Sequence, residues 1–279
     1  MLFVSADDPA RLQKAHLRGA DALVLDLEDA VPPDRKQAAR DAIGAEIDRL
    51  AALGQALVVR VNTGWLAIGA DLAACIRPGV RAIMLPKVEE PWHVRVIAEM
   101  IGELELQHGV AAGSTGIVCL IESAAGLEIM GGLAAIPRVV GLALGSEDFA
   151  LSMGVPPSPE LLDLPCRQLA LAASRAGIMA IAVPASIAQF RDMDAYAEAI
   201  RQGMAYGVTA ALCIHPNQIT VANRELAPSL AEMEQARAVM AAWRAHGGAG
   251  VLQLGGKMID RPVMLRAAAM LARAAETAG

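Results

Sequence analysis

The residues that could do chemistry in this chain share one kind of position, directly after a short apolar run. Glu122 follows Ile117-Val-Cys-Leu-Ile121, and Asp148 follows Val139-Val-Gly-Leu-Ala-Leu-Gly-Ser146 by two residues. Two carboxylates brought close together repel unless a proton or a cation lies between them. With no His or Cys beside either one, such a pair suits Mg2+ or Mn2+, with water or substrate filling the other positions. Either acid taken alone also reads as a helix cap, because Asp and Glu favour the positive end of a helix.

Arg60 interrupts the apolar run Val58-Val-Arg-Val61, just before Asn62. Arginine is seldom buried without an anion to pair with. Two readings stand open: a bidentate grip on a substrate carboxylate, or a salt bridge to Asp26 or Glu28. The segment Asp26-Leu-Glu-Asp-Ala30 puts Asp26 and Glu28 on one face if its strand continues, with Asp29 turned away. Otherwise it is a solvated loop opening the helix at Pro33. Lys87 and Glu147 complete the set of polar groups that end apolar runs. His215, before Pro216-Asn-Gln218, reads as a loop residue that orients backbone, with general base as the alternative. His16, His93, His108 and His246 read as surface residues.

These groups are scattered over some 120 residues of sequence, so a fold must gather them. Short β-rich runs alternate with Ala-rich amphipathic runs, the pattern of repeated βα units. Strands are expected near Leu2–Ser5, Ala22–Asp26, Leu57–Val61, Ala82–Leu85, Gly116–Ile121, Val139–Leu144, Ile178–Val183 and Ala210–Ile214. Helices are expected at Pro9–Gly19, Arg35–Gly54, Ile68–Ile76, Pro91–His108, Ala124–Ala135, Glu160–Ala176 and Asp192–Tyr206. Eight near-continuously apolar strands separated by helices point to an α/β fold, a (β/α)8 TIM barrel, whose active sites collect at the strand C-terminal ends. An open doubly wound sheet is the alternative, but no Gly-rich phosphate loop follows any strand. From about Pro228 the pattern changes to two helical runs, Leu230–His246 and Arg261–Ala275, around a Gly-rich stretch 247–256. The expected division is a catalytic barrel over 1–227 and a C-terminal helical lid or extension over 228–279, carried on a flexible arm.

Composition narrows the partners. The 279 residues are 55% apolar and 3% aromatic, with 24 basic against 30 acidic side chains and a net charge of −6. That balance argues against nucleic acid. No apolar run reaches the ~18 residues of a spanning helix, and no basic segment precedes an apolar core at the start, so a cytoplasmic protein is expected. Cys75, Cys119, Cys166 and Cys213 form no C-x-x-C pair and read as buried apolar residues.

The motifs together resemble the citrate lyase β-subunit and malyl-/citramalyl-CoA lyase family, of the HpcH/HpaI aldolase superfamily. The match runs in order through Leu2-Phe-Val4, Ala20-Asp-Ala-Leu-Val-Leu-Asp-Leu-Glu-Asp-Ala-Val31, Val59-Arg-Val-Asn62 and Met84-Leu-Pro-Lys87. It continues through Ile121-Glu-Ser123 with Gly126, Gly145-Ser-Glu-Asp-Phe149, Ile214-His-Pro-Asn-Gln-Ile219 and Lys257-Met-Ile-Asp260. The resemblance implies a Mg2+-dependent carbon–carbon lyase on a (β/α)8 barrel, a homotrimer or hexamer, acting on a 3-hydroxy acyl thioester of CoA or an acyl carrier. It places the Mg2+ carboxylates on Glu122 and Asp148, with Glu122 also facing substrate, and the substrate-binding arginine on Arg60. A mouth acid falls on Asp29, and the acid of a lid delivered by a neighbouring subunit falls on Asp260, which otherwise reads as the N-cap of the last helix. The sequence departs from the family in four places. The Arg-Ser often preceding Leu-Phe-Val has no counterpart, and Ser5-Ala6 stands for Pro-Gly. Ala180-Ile-Ala-Val-Pro184 lacks a common Asp, and Ala211-Leu212 replaces Gly-Lys. Two other readings are a pyruvate-type aldolase on 4-hydroxy-2-oxo acids, which would carry Glu-His where this chain has Glu28-Asp29, and a degenerate member serving as a binding subunit.

Overall fold

The computed structural model describes residues 1–248 and 250–277. The chain divides into two compact units, Met1–Asn223 and Arg224–Gly279. In the first, seven strands lie in sequence order: β1 (Leu2–Ser5), β2 (Ala22–Asp26), β3 (Ala56–Arg60), β4 (Val80–Leu85), β5 (Gly116–Ile121), β6 (Val139–Leu144) and β7 (Met179–Ile181). Every neighbouring pair is parallel. The eighth expected strand is present only as two single parallel bridges, Ile181 to Ala210 and Leu2 to Cys213.

Those bridges close the barrel. Cys213 accepts from the Phe3 N–H at 2.8 Å and donates to the Met1 carbonyl at 2.9 Å, while the Met1 ammonium donates to the Ala211 carbonyl at 2.9 Å. On the other side Ala182 donates to Ala210 at 3.1 Å. The eighth segment is irregular because a side chain stands in the ladder: the Thr209 hydroxyl takes the Ala180 N–H at 3.1 Å.

Helices α1 (Pro9–Ala15), α2 (Lys36–Ala52), α3 (Trp65–Cys75), α4 (Pro91–His108), α5 (Ala124–Ala134), α6 (Ser146–Ser152), α7 (Pro159–Ala176) and α8 (Met193–Tyr206) separate the strands. Their ends follow local chemistry. Ser158 caps α7 through the Leu161 N–H with Pro159 in the first turn, and Gly177 ends it at φ +69°. Only an achiral residue takes that left-handed conformation without a Cβ penalty. Two helices lie outside the expected list, the short α6 and α9 (Pro216–Leu226).

The strand period decides what the barrel encloses. Val24, Val58, Ala82, Met84, Val118, Leu120, Ala143, Ile181 and Leu212 pack together as the interior. Side chains two residues further along a strand point the same way. The parity that sends Val24, Val58 and Leu120 inward therefore sets Asp26, Arg60 and Glu122 at the C-terminal rim.

The second unit holds α10 (Leu230–Ala245), β8 (Leu252–Leu254), β9 (Lys257–Ile259) and α11 (Arg261–Thr277). Ala236, Val239, Trp243, Ile259 and Ala267 form its small core. Ser229 and Glu232 cap α10 reciprocally, an arrangement that satisfies two otherwise orphaned N–H groups. The stretch read as a flexible arm contains an antiparallel hairpin instead, with Leu252 paired to Ile259. Its turn is Gly255-Gly256, at φ +57° and +77°. Two successive positive φ values are what a two-residue hairpin turn demands, and glycine supplies both.

Candidate active site

The β2–α2 connection and β3 build one wall of the mouth. Asp26 and Arg60 are direct partners across β2 and β3. Arg60 Nε reaches Asp26 Oδ1 at 2.8 Å, and Nη2 reaches Oδ2 at 2.6 Å. The carboxylate, 1% exposed, also accepts from the Glu28 N–H at 2.9 Å and the Ala30 N–H at 3.3 Å. Arg60 Nη1 lies 2.9 Å from Glu28 Oε2 and 3.9 Å from Asp29 Oδ2, and the guanidinium sits 4.9 Å from the Phe3 ring centroid. Its charged form is held firmly by these acids against the cost of burial. The fork is engaged by Asp26, so the salt bridge that the sequence allowed is present in this structure.

The strand does not run on to Glu28 as the same-face expectation required. It stops at Asp26, and a turn closed by the Val31 N–H on the Glu28 carbonyl at 3.0 Å follows. Asp29, half exposed, therefore stands 3.9 Å from both Arg60 and Lys87 rather than turned away. Lys36 holds the turn from below, donating to the Leu27 and Glu28 carbonyls at 2.8 and 2.5 Å. Burial pushes the Glu28 carboxyl up, against the pull of Arg60 and Lys87. Its Oε2 is near the guanidinium but off the hydrogen-bond direction, so this buried oxygen has no donor.

The opposite wall carries Glu122, 4% exposed, at the end of β5. Its Oε2 accepts the Lys87 N–H at 2.7 Å. Burial, with the charges of Asp148 and Glu28 added, pushes this carboxyl up to about 8. Gly145 backs it: a Cβ there would fall 2.6 Å from Glu122 Cγ and 2.7 Å from Oε1, so no larger residue fits unless the carboxylate moves. Asp148, half-buried, sits in the first turn of α6. Its neighbour Glu147 faces elsewhere, taking the Ser186 hydroxyl at 2.6 Å and the Ser146 hydroxyl at 3.2 Å, which ties down the connection after β7.

A buried carboxylate raised by the charge of its neighbours is what a cation would relieve. Among the described residues no group of three or more His, Cys, Asp or Glu is arranged to hold a metal. Glu122 and Asp148 alone leave most positions to water or substrate, which fits Mg2+ rather than a caged ion such as zinc.

Several residues that shape the mouth escaped sequence reasoning. Asp71, fully buried on α3, accepts from the Asn62 side chain and N–H, both at 2.8 Å, and from Arg40 Nε at 2.8 Å. Its signal was an acid on the stripe Ile68, Leu72, Cys75 of an otherwise apolar helix face. Gln218 accepts from the Ile214 and His215 N–H groups at 2.9 and 3.0 Å and donates to the Ile187 carbonyl at 2.9 Å. His215 itself stacks on Phe190 at 4.9 Å. His93 is not an ordinary surface residue. Its ring packs 4.5 Å from Trp65 beside the Trp65–Trp92 stack, and its buried Nε2 has no partner. It lines a cleft of about 270 Å³ with Asn62, Thr63, Ile68, Lys87 and Ile97. All four cysteines are free and buried, and burial pushes the Cys119 and Cys166 thiols up to about 12, which leaves them inert as nucleophiles.

Asp260 belongs to the second unit. Its Oδ1 accepts the Val263 N–H at 3.1 Å at the start of α11, so the carboxylate serves as a helix cap whatever else it does. No helix among the described residues is long and apolar enough to cross a membrane.

Comparison with known proteins places this arrangement among relatives. The family model for HpcH/HpaI aldolase/citrate lyase matches residues 1–216. The citrate lyase subunit beta of Leuconostoc mesenteroides subsp. cremoris is 32% identical over 274 residues, covering 96% of this chain and 90% of that protein. The structure of the protein CitE from Mycobacterium tuberculosis in complex with magnesium, acetoacetate and coenzyme A is similar at a TM-score of 0.76. It is 31% identical in sequence, with 98% of this chain and 97% of that chain covered. A citrate lyase from Burkholderia xenovorans, 20% identical, shares the fold at a TM-score of 0.85 over 99% of this chain and 92% of its own.

Proposed function

The chain belongs to the HpcH/HpaI aldolase/citrate lyase family and is a carbon–carbon lyase, and from that premise we propose that it cleaves or forms a 3-hydroxy acyl thioester with Mg2+ as its cofactor. The observation that carries this reading is the buried Glu122 carboxyl, raised to about 8 beside Asp148 at the barrel mouth. Glu122 and Asp148 would hold the ion, which lowers the pKa of a bound hydroxyl and stabilises negative charge on oxygen. The solved relative that holds magnesium, acetoacetate and coenzyme A supports the choice of ion and of thioester.

The chain's own residues supply the rest. Arg60 braces Asp26 and Glu28, and so keeps the turn that carries Asp29 at the mouth. The cleft beside Lys87, apolar at Ile68 and Ile97, suits the flexible arm of a CoA or acyl-carrier thioester. Cleaving the bond next to the thioester expels an enolate, which must be protonated. Asp29 is an acid at the mouth, and Asp260 supplies the proton when a neighbouring subunit folds over it. A homotrimer or hexamer would bring such a neighbour.

Incubation with Mg2+ and a panel of malyl-, citramalyl- and citryl-thioesters, alongside 4-hydroxy-2-oxo acids, tests the reaction class. Cleavage of a thioester is the expected outcome, and cleavage confined to the oxo acids would make the protein a pyruvate-type aldolase. The shared site has its own check. An Asp260→Ala chain and a Glu122→Gln chain, each inactive alone, should recover part of the activity when their subunits are exchanged. Confirmed mixed oligomers with no recovery would exclude a lid acting in trans.

A further inference from the structure

The charged groups of the mouth occupy one side of it. Glu28, Asp29, Arg60, Lys87, Glu122 and Asp148 all stand at or after the ends of β2 to β6. The side formed after β7 and by the eighth segment is built differently. No residue from Ala182 to Phe190 carries a charge, and none from Ala210 to Ile214 does. Ala182, Ala211 and Leu212 are buried there. His215, which follows, stacks on Phe190 and takes the Asn217 N–H on Nδ1 at 3.2 Å.

Ile187 is the side chain that this uncharged side presents. It lies beyond the C-terminal end of β7 and packs, partly buried, against the barrel interior. It therefore meets that interior from the mouth. Two other elements hold its backbone. Its N–H donates to the Ser146 hydroxyl at 3.2 Å, and its carbonyl accepts from Gln218 Nε2 at 2.9 Å. The fully buried Gln218 amide cannot turn over, because its Oε1 already takes the Ile214 and His215 N–H groups. Ser186, one residue earlier, donates to Glu147 Oε1 at 2.6 Å. Ser146 and Glu147 directly precede Asp148, so the contacts that fix Ile187 begin beside an expected metal ligand. The ionisable group tied to this segment is an acid, Glu147, which repels a further carboxylate.

We propose that Ile187 is a specificity residue, and that the substrate carries hydrogen or a small alkyl group beside the cleaved bond rather than another free carboxylate. The inference rests on the lyase reading above and narrows it to malyl- and citramalyl-type thioesters against citryl-type ones. With its hydroxy-acid end held on the charged side, the substrate turns its remaining substituent toward Ile187. A methyl group leaves water there at a gain. A carboxylate in the same place loses hydration and finds no cation.

The test is kcat and KM, with Mg2+, on citramalyl-CoA and citryl-CoA, which differ by a methyl against a carboxymethyl group. The unaltered protein should favour citramalyl-CoA by about a hundredfold or more in kcat/KM. Ile187→Leu should keep that preference. Ile187→Arg places a cation on the uncharged side and should move the ratio toward citryl-CoA by about tenfold or more, chiefly through KM. Mg2+ affinity, measured by calorimetry, should be nearly the same in all three proteins. Equal cleavage of the two thioesters by the unaltered protein overturns the proposal, and so does an unchanged ratio in folded Ile187→Arg. Cleavage of neither thioester, with turnover of 4-hydroxy-2-oxo acids instead, would remove the lyase reading and this assignment with it.

Discussion

Replacing Glu122 by Gln should abolish high-affinity Mg2+ binding and reduce turnover by several orders of magnitude, with the fold retained. The side chain is buried, but its neutral form already suits the site: burial and the charges of Asp148 and Glu28 hold the carboxyl up at about 8. Gln carries a neutral amide of nearly the same shape, and its oxygen can still accept the Lys87 N–H. The pH dependence follows from the same shift. A carboxyl whose folded pKa is raised stays protonated up to about 8, so an ion that needs the carboxylate must displace a proton below that pH. Mg2+ affinity should climb with pH by up to about tenfold per unit toward 8 and then level off, with proton release measurable by calorimetry in buffers of different ionisation enthalpy. The metal-free protein should show the opposite trend in stability. The folded state binds the extra proton, so this group's contribution declines as pH rises from the ordinary carboxylate range through about 8. Asp148→Asn should share the loss of affinity. Unchanged Mg2+ affinity in both variants would sink the metal assignment.

Arg60→Met should destabilise the barrel by about 3 to 5 kcal/mol, the usual cost of removing one partner from a buried ion pair. Asp26 would keep only the Glu28 and Ala30 N–H groups, and Glu28 would keep only Lys87. Arg60→Lys preserves the charge but gives up the two parallel bonds to Asp26, so an intermediate loss is expected. A double variant, Arg60→Met with Asp26→Leu, should recover part of the stability, because the stranded charge is gone. Urea unfolding of the four proteins measures all of this. A loss below about 1 kcal/mol in Arg60→Met would put the pair among the weak surface-like bridges and return its fork to the substrate.

Much of the fold is legible in the sequence. The boundaries of β1, β2, β5, β6 and α4 coincide with their apolar runs and with Pro91 at the start of α4. Those runs are long, and the punctuation at their ends is chemical. The hairpin Leu252–Leu254 with Lys257–Ile259 was missed because two runs of three residues carry little periodicity, even with Gly-Gly between them. Helix α9 was missed because His215 and the residues after it read as a loop, whereas Pro216 opens a helix.

The site divides along the same line. That Asp26, Arg60 and Glu122 stand at one end of the barrel follows from sequence alone, since each ends an apolar strand run and strand period sets the side it faces, whereas Asp148 is placed by the first turn of α6. Whom each of them meets does not. The bidentate pairing of Arg60 with Asp26 depends on β2 and β3 lying in register at residues 34 apart in sequence. The rise of Glu122 depends on its burial and on the charges of Asp148 and Glu28, against the pull of the Lys87 N–H brought in from 35 residues earlier, and Gly145 leaves room behind the carboxylate. A local pattern can encode direction, because direction is a property of one strand. Partnership is a property of register between strands and of the depth to which they bury a charge, and only the closed barrel determines those.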